Sequence, residues 1–352
     1  MSTFTIPHIR IEAISSAVPE KEACLTDDPT LYGGNEKQLK RVMKSSGFDK
    51  RRLADDKTTT ADLCAAAAQS LFDAHVIAQD EPDALIFVSQ TPDYQIPATS
   101  CVLQKRLNLR EDVAVFDINH GCSGYVYGLY LASSLINSGC KTVLLLVGDT
   151  VSKFTDMFKN GSAPIFGDAG TATVVRYDEN ASPIFFDIGT DGGGADAIMA
   201  KNGGFRNPPK PDMFYEDGTF MYDSVMDGMR IMQFTLDKVP ASIEKLLTFA
   251  GKGKDEISSF VLHQANKLIL QNVAMSLDVP FEKMPMETLS KYGNQSSASI
   301  PTAICDVLRE QVGQSSADYV FCGFGIGLTW ASCLLKLDHI FCPEIKIYKG
   351  EN

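Results

Sequence analysis

The chain has 352 residues, 44% hydrophobic and 22% charged, the composition of an ordinary globular protein and not of a disordered or fibrous one. A formal net charge of −12 argues against the broad basic surface that nucleic-acid binding needs. No apolar run approaches the roughly 18 residues of a membrane span. The start, MSTFTIPHIR, lacks the basic stretch and apolar core of a secretory signal. Nine cysteines without a CxxC pair predict reduced, mostly buried thiols in a cytoplasmic protein.

Helical and strand patterns alternate along the chain. Residues 60–75 (TADLCAAAAQSLFDAH) read as an Ala-rich helix, Ala84 to Ser89 as a short apolar strand, 97–107 as a helix opening on Pro97, and Val113 to Ile118 as a strand. Ser123 to Ile136 follows as a helix. Lys141 to Val147 (KTVLLLV) is a continuous apolar run, as expected of a strand covered on both faces. The second half replays this order: a helix over Met229 to Phe249, a strand at Ser259 to Leu262, helices at Asn266 to Ser276 and Ser297 to Val312, then strands at Tyr319 to Cys322 and Leu328 to Leu337. In each half a polar, Gly-containing turn precedes a helix, NHGCSG in one and YGNQSS in the other. The pattern predicts two similar α/β halves, 1–178 and 179–352, with the chemistry where they meet. Residues 189–228, rich in Gly, Pro, Asp and Met, read either as a covering lid or as a surface excursion.

Three residues are candidates for chemistry. Cys122 follows a strand and opens a helix, where unpaired N–H groups and the helix dipole favour thiolate and lower a thiol's pKa; the alternative is a small residue filling a junction. Gly121 and Gly124 around it suit a tight turn and close approach of a substrate. His263 ends a strand in FVLHQAN and Asn294 precedes a helix in KYGNQSS; alone, each is equally readable as a hydrogen-bonded core histidine or an N-cap. Together, a Cys nucleophile with neutral His and Asn donors is what thioester condensation requires. The five histidines show no metal-ligand spacing, so no metal is expected. The run from Cys322 to Trp330 (CGFGIGLTW) contains GxGxG, but the following LTWASCLLKL reads as a strand, which excludes a dinucleotide loop. Such a turn can present N–H groups to an oxyanion.

The segments SGFDKRRLADDKTTTADL, QTPDYQIPATSCVLQKRLNL, FDINHGCSGYVYGL, PIFGDAGTATVV, MDGMRIMQF, HQAN, YGNQSSASIP and GFGIGLTW, in this order, resemble the β-ketoacyl-ACP synthase III family from about residue 40 to 336. The resemblance implies a thiolase-like five-layer α/β/α/β/α fold and a homodimer. It implies acyl transfer to Cys122 from acyl-CoA or acyl-ACP, then decarboxylative condensation with a malonyl-type thioester, without a tightly bound cofactor. His263 and Asn294 would hold the second thioester. The N–H groups of Cys122 and Ile326 would form the oxyanion hole, with Phe324 beside the cysteine and Met226 near the acyl channel.

Several positions depart from the family pattern. Arg41 and Ser45 stand where a Trp and an Arg often contact CoA. Asn160 stands for a phosphate-binding Arg, and Leu268 for another, with Lys267 adjacent. Ile96 replaces a bulky aromatic that limits acyl length across the dimer, and Ile326 replaces the middle Gly of the glycine run. His120, two residues before Cys122, is unusual and either tunes the thiolate or packs. Lys40, Arg41 and Lys44, with Lys37, share one helical face, either a solvated surface or a docking site for an acidic acyl carrier protein. Transfer of the Cys-bound acyl group to an oxygen or nitrogen nucleophile remains the alternative to condensation.

Overall fold

The computed structural model describes residues 3–27, 34–154, 165–216, 218 and 220–350. In chain order the first half holds strands β1 (Thr3–Ile6), β2 (Ile9–Pro19), β3 (Glu22–Cys24) and β4 (Lys50–Arg52), β5 (Ala84–Val88), β6 (Ala114–Ile118), β7 (Thr142–Asp149) and β8 (Ala169–Tyr177). Its helices are α1 (Glu36–Ser46), α2 (Thr60–Asp73), α3 (Thr99–Arg106) and α4 (Gly124–Asn137). The second half holds β9 (Ile184–Thr190), β10 (Ile198–Ala200), β11 (Ser224–Met226), β12 (Ile257–Leu262), β13 (Ser316–Gly325), β14 (Thr329–Asp338) and β15 (Lys346–Tyr348). Its helices are α5 (Gly228–Ala250), α6 (Lys267–Ser276), α7 (Leu289–Tyr292), α8 (Ser299–Ala303) and α9 (Arg309–Gln314). A π-helical turn, Ile304–Leu308, joins α8 to α9.

Two sheets carry the molecule. One has six strands in the order β15-β2-β8-β7-β5-β6, the other five in the order β1-β9-β14-β13-β12. The end strands are exchanged: β1 pairs with β9, and β15 pairs with β2, so each terminus adds a strand to the sheet of the other half. The turn at residue 178 lies between β8 and β9.

The alternation of side chains along a strand explains the layers. In β5 and β7, Ile86, Val88, Val143, Leu145 and Val147 face a middle core made with α4 and the α8–α9 run, whereas Leu85, Phe87, Leu144 and Leu146 face α2. In β12 and β13, Val261, Tyr319 and Phe321 face the same middle core, while Phe260, Leu262, Val320 and Cys322 face α5 and α6. The layers are therefore α2/α3, the six-stranded sheet, α4 with α8–α9, the five-stranded sheet, and α5/α6, the five-layer arrangement expected. Segment 189–228 is only partly irregular: β10 and β11 pair antiparallel across a long excursion before the chain enters α5. No helix among the described residues is long and apolar enough to cross a membrane.

Close approach of α2 to the six-stranded sheet depends on small residues. Ala61, Ala65, Ala67 and Ala68 are buried on α2, and a Cβ at Gly170 of β8 would overlap the backbone at Leu63 and Cys64. Neither backbone can retreat, because each is fixed in a helix or a ladder. Gly170→Ala is expected to lower stability by about 1–3 kcal/mol, the usual size of overpacking in a filled core. Thermal unfolding of the purified variant checks this, and an unchanged midpoint would remove the steric argument.

Candidate active site

The middle layer sets the site. The segment before α4 and the loop before α8 emerge side by side between the sheets. Cys122 lies on a turn before α4 in which the Gly124 N–H donates to the Gly121 carbonyl at 2.6 Å. Asn294 lies on the loop between α7 and α8, and is tied to the segment before β8: its N–H donates to Ile165 O at 2.8 Å, and the Gly167 N–H donates to its carbonyl at 3.0 Å. His263 follows β12, and its backbone N–H donates to Cys322 O of β13 at 2.8 Å. Cys122, His263 and Asn294 are only 8%, 2% and 5% exposed, and all three line one pocket of about 740 Å³ counted with its open mouth.

Ser296, in the left-handed backbone region at φ 49°, brings its hydroxyl to 4.0 Å from the Cys122 sulfur. The Ser296 N–H donates to Asn294 Oδ1 at 2.9 Å, whereas Asn294 Nδ2 has only a long contact of 3.5 Å to Ala265 O. Nδ2 is thereby left available to the pocket. His263 Nδ1 lies 2.7 Å from Ser299 Oγ, which leaves Nε2 for the pocket. Phe324 packs edge-on against the imidazole, with ring centroids 5.5 Å apart. The β13–β14 hairpin passes close to the cysteine. A Cβ at Gly325 would sit 2.9 Å from Cys122 Cβ and 3.1 Å from its sulfur, so only glycine allows this approach.

Asp149, at the end of β7, joins the two halves. This fully buried carboxylate accepts from the Gln90 N–H at 2.8 Å and Ser89 Oγ at 3.2 Å on one side. On the other it accepts from Ser297 Oγ at 2.6 Å and the Ser297 N–H at 3.2 Å.

In the resting site the thiol and the imidazole are both uncharged. Burial holds His263 down to about 3, well below an ordinary imidazole. Burial, with the Asp149 carboxylate second, pushes the Cys122 thiol up to about 11. The Ser296 hydroxyl and the backbone N–H groups of Ile326 and Cys122 itself act in the opposite direction. The helix start therefore does not lower the thiol's pKa as its sequence context predicts, because desolvation in a closed pocket outweighs the dipole. The two neighbouring glycines close the expected tight turn, but the close approach they allow is of protein side chains. A Cβ at Gly121 would collide with the Gln90 carboxamide, and one at Gly124 with Val88, so they make room for protein side chains.

The other expected residues separate. Met226, Phe324 and Ile326 line the pocket with the trio. Ile96 does not; it is 86% exposed, in the loop before α3. Lys267, the first residue of α6, is exposed outside the pocket and backs onto Gly47 at the end of α1. It lies next to the helix that carries Lys40, Arg41 and Lys44, all exposed. His120 stacks on Tyr127 with centroids 4.2 Å apart, a packing role. Asn160 lies outside the described residues. Asp149, Ser296, Ser299 and Gln90 were not singled out from the sequence; the serine run in NQSSAS was the available signal for two of them. No group of three His, Cys, Asp or Glu among the described residues is placed to hold a metal ion.

Known proteins resemble this chain over most of its length. Residues 116–192 match the family described as 3-oxoacyl-[acyl-carrier-protein] synthase III, and 247–337 match its C-terminal part. A Campylobacter jejuni relative, provisionally named 3-oxoacyl-[acyl-carrier-protein] synthase 3, is 34% identical over 97% of this chain and 98% of its own. A β-ketoacyl-[acyl-carrier-protein] synthase III of Halalkalibacterium halodurans is 31% identical over 93% of this chain and 96% of its own. Among solved structures, a 3-oxoacyl-(acyl-carrier protein) synthase of Burkholderia xenovorans superposes with a TM-score of 0.90 at 36% identity, covering 98% of both chains.

The neutral resting state has a measurable consequence. Thiolate is the reactive form, so alkylation of Cys122 by iodoacetamide should climb about tenfold per pH unit from pH 7 to 10. No levelling near 8.5 is expected, nor an inflection between pH 5 and 8 from His263. Asp149→Asn removes the group that, after burial, acts most to hold the thiol up, and should move the curve to lower pH. Site-resolved peptide mass spectrometry gives the rates, and a plateau below pH 9 in the wild type would contradict a desolvated thiol.

Proposed function

The chain belongs to the 3-oxoacyl-[acyl-carrier-protein] synthase III family, and from that premise we propose that it joins an acyl thioester to a malonyl-type thioester by decarboxylative Claisen condensation, with Cys122, His263 and Asn294 as its catalytic residues. The observation that supports this is the meeting of the three side chains in one pocket, with two backbone N–H groups at the sulfur. In the first half-reaction the Cys122 thiolate attacks the acyl carbonyl. A new carbon–sulfur bond forms, the bond to the carrier sulfur breaks, and the carrier leaves as a thiol with the cysteine's proton. The N–H groups of Cys122 and Ile326 stabilise the tetrahedral oxyanion.

In the second half-reaction the malonyl-type thioester loses carbon dioxide, and the electron pair moves onto its carbonyl oxygen as an enolate. In the tautomer that carries its proton on Nε2, with Nδ1 accepting from Ser299 Oγ in place of that hydroxyl's bond to the Ser296 carbonyl, His263 donates a hydrogen bond to that oxygen together with Asn294 Nδ2. An imidazole that stays neutral, as burial dictates here, is a donor suited to an enolate without becoming a strong acid. The enolate carbon then attacks the acyl carbon, a carbon–carbon bond forms, and Cys122 leaves as thiolate. The half 1–178 thus supplies the nucleophile and 179–352 the enolate donors. Substrates are acyl-CoA or acyl-ACP, and no tightly bound cofactor takes part.

Substrate entry fits the side where α6 begins. Asn266 and Ile269 of that segment line the pocket, and Lys267 backs onto α1. An acidic carrier resting on Lys40, Arg41 and Lys44 would have its thioester arm near this mouth. A homodimer is supported by β6, which is the outer strand of its sheet and exposes Phe116 at 45%. Such an edge is ordinarily covered. Asp117 of β6 accepts from the N–H groups of Thr99 and Ser100, which sets the Ile96 loop beside that edge, where a second subunit would meet it.

Two measurements test these readings. Intact mass should show acylation from an acyl-CoA or acyl-ACP panel in wild type, none in Cys122→Ala, and discharge on adding malonyl-ACP. His263→Ala and Asn294→Ala should retain acylation but slow condensation by roughly a hundredfold or more, the effect of removing one oxyanion-type donor. An acyl-enzyme that malonyl-ACP never discharges would favour transfer to an oxygen or nitrogen nucleophile. Light scattering should give twice the chain mass of 38.4 kDa, and Phe116→Lys should shift it to the monomer; a monomeric wild type would overturn the dimer.

A further inference from the structure

Most of the pocket's polar lining is committed. Cys122, His263 and Asn294 belong to the proposed chemistry, and Ser296 faces the sulfur. Asn266 uses its side-chain oxygen to cap α6, accepting from the Ile269 N–H at 2.8 Å. The remaining polar side chain is Gln90. It follows β5, and its backbone N–H is held by Asp149 Oδ1 at 2.8 Å. Its carboxamide lies directly over Gly121, where a Cβ would strike the amide oxygen and sit 3.3 Å from Nε2. That places an amide one residue from the nucleophile. Among the described residues the Gln90 carboxamide has no hydrogen-bond partner, and Val151, Phe154, Ile198, Met226 and Ile231 complete an otherwise apolar wall.

A saturated acyl chain on Cys122 would strip this amide of water and give it nothing in return, which is unfavourable for a buried donor and acceptor. An oxygen or nitrogen function on the first carbons beyond the thioester would satisfy it. Beyond Gln90 the lining changes character. Gln90 and Phe154 also line a second, more open cleft of about 1400 Å³, bordered by Asp93, Tyr94, Asn119, Lys153, Asn202 and Tyr222. Space past Gln90 is therefore mixed, and more polar than the pocket around Cys122.

We propose that Gln90 is a specificity-determining residue that selects an acyl group bearing a hydrogen-bonding substituent, such as a hydroxyl, within a few carbons of the thioester carbonyl. This rests on the acyl-enzyme reading above. Gln90 donates through Nε2 or accepts through Oε1, so a hydroxyl satisfies it in either orientation. A polar tail on the same acyl group has the neighbouring cleft to enter.

The test uses N-acetylcysteamine thioesters, which need no carrier contacts. Rates of Cys122 acylation by butyryl, 2-hydroxybutyryl and 3-hydroxybutyryl thioesters are read by intact mass. Wild type should prefer at least one hydroxylated donor by roughly tenfold or more, the size expected when one buried polar group otherwise loses its partner. Gln90→Met keeps the side chain's length and removes its hydrogen bonding. It should abolish that preference, read within the variant as the ratio of the hydroxylated to the butyryl rates. Equal rates for the three donors in wild type, or a Gln90→Met variant that slows all three alike, would overturn the proposal and leave the acyl-enzyme intact. No acylation of Cys122 by any donor would sink the acyl-enzyme reading itself, and this inference with it.

Discussion

Everything in this molecule follows from two sheets sharing one layer of helices. α4 and the α8–α9 run are apolar enough to be covered on both sides, and Tyr125, Val126, Leu129, Ile300, Ala303 and Ile304 form one core with strands of both sheets. Helices so confined cannot tilt or slide independently, and their starts are fixed against each other. The two most chemically loaded segments of the chain sit at those starts. Asp149 makes the register exact enough for chemistry: one carboxylate ties the Gln90 side of the site to the Ser297 side. A buried carboxylate is tolerable only when its oxygens are fully used, and here five donors from both halves use them.

The outer layers and the sheet centre were legible in the sequence because their signals are local. β7 is an unbroken apolar run, and α2 repeats alanine on its buried face. The hairpin β13–β14 was distinguishable from a dinucleotide loop by the strand pattern of LTWASCLLKL. β2 was not legible. Its centre carries Ser15 and Ser16, which are buried because Ser15 donates to Ala67 O of α2 and Ser16 pairs with Thr302 of α8. Serines in mid-strand interrupt the hydrophobic pattern, and only the tertiary partners explain them. The exchange of β1 and β15 between the sheets is equally invisible, since nothing local says which distant edge a short strand will join.

The site divides in the same way. Cys122, His263 and Asn294 stand at element junctions, a local property, and the order of motifs joined them. Asp149 and Gln90 did not stand out, because a polar residue at a strand end reads as the beginning of a loop. The importance of Asp149 comes from burial and that of Gln90 from facing the pocket, neither of which sequence states. The same omission explains the thiol. Helix-start geometry is local and favours thiolate; desolvation is global and disfavours it. At Cys122 the second wins.

That outcome constrains how the proposed reaction can run. A thiol near 11 is ionised about once in ten thousand molecules at pH 7, so reaching thiolate requires about 5 kcal/mol. Two backbone N–H groups and the Ser296 hydroxyl already lower that requirement. Once sulfur is acylated it no longer carries charge, and the same N–H groups are released to the oxygen of the tetrahedral intermediate. The donors are fixed by the Cys122 turn and the β13–β14 hairpin, so they need no reorganisation between the two tasks. A pocket that keeps cysteine and histidine neutral at rest also protects the thiol from alkylation and oxidation while empty. Charge forms in it only when a thioester is present to take it up.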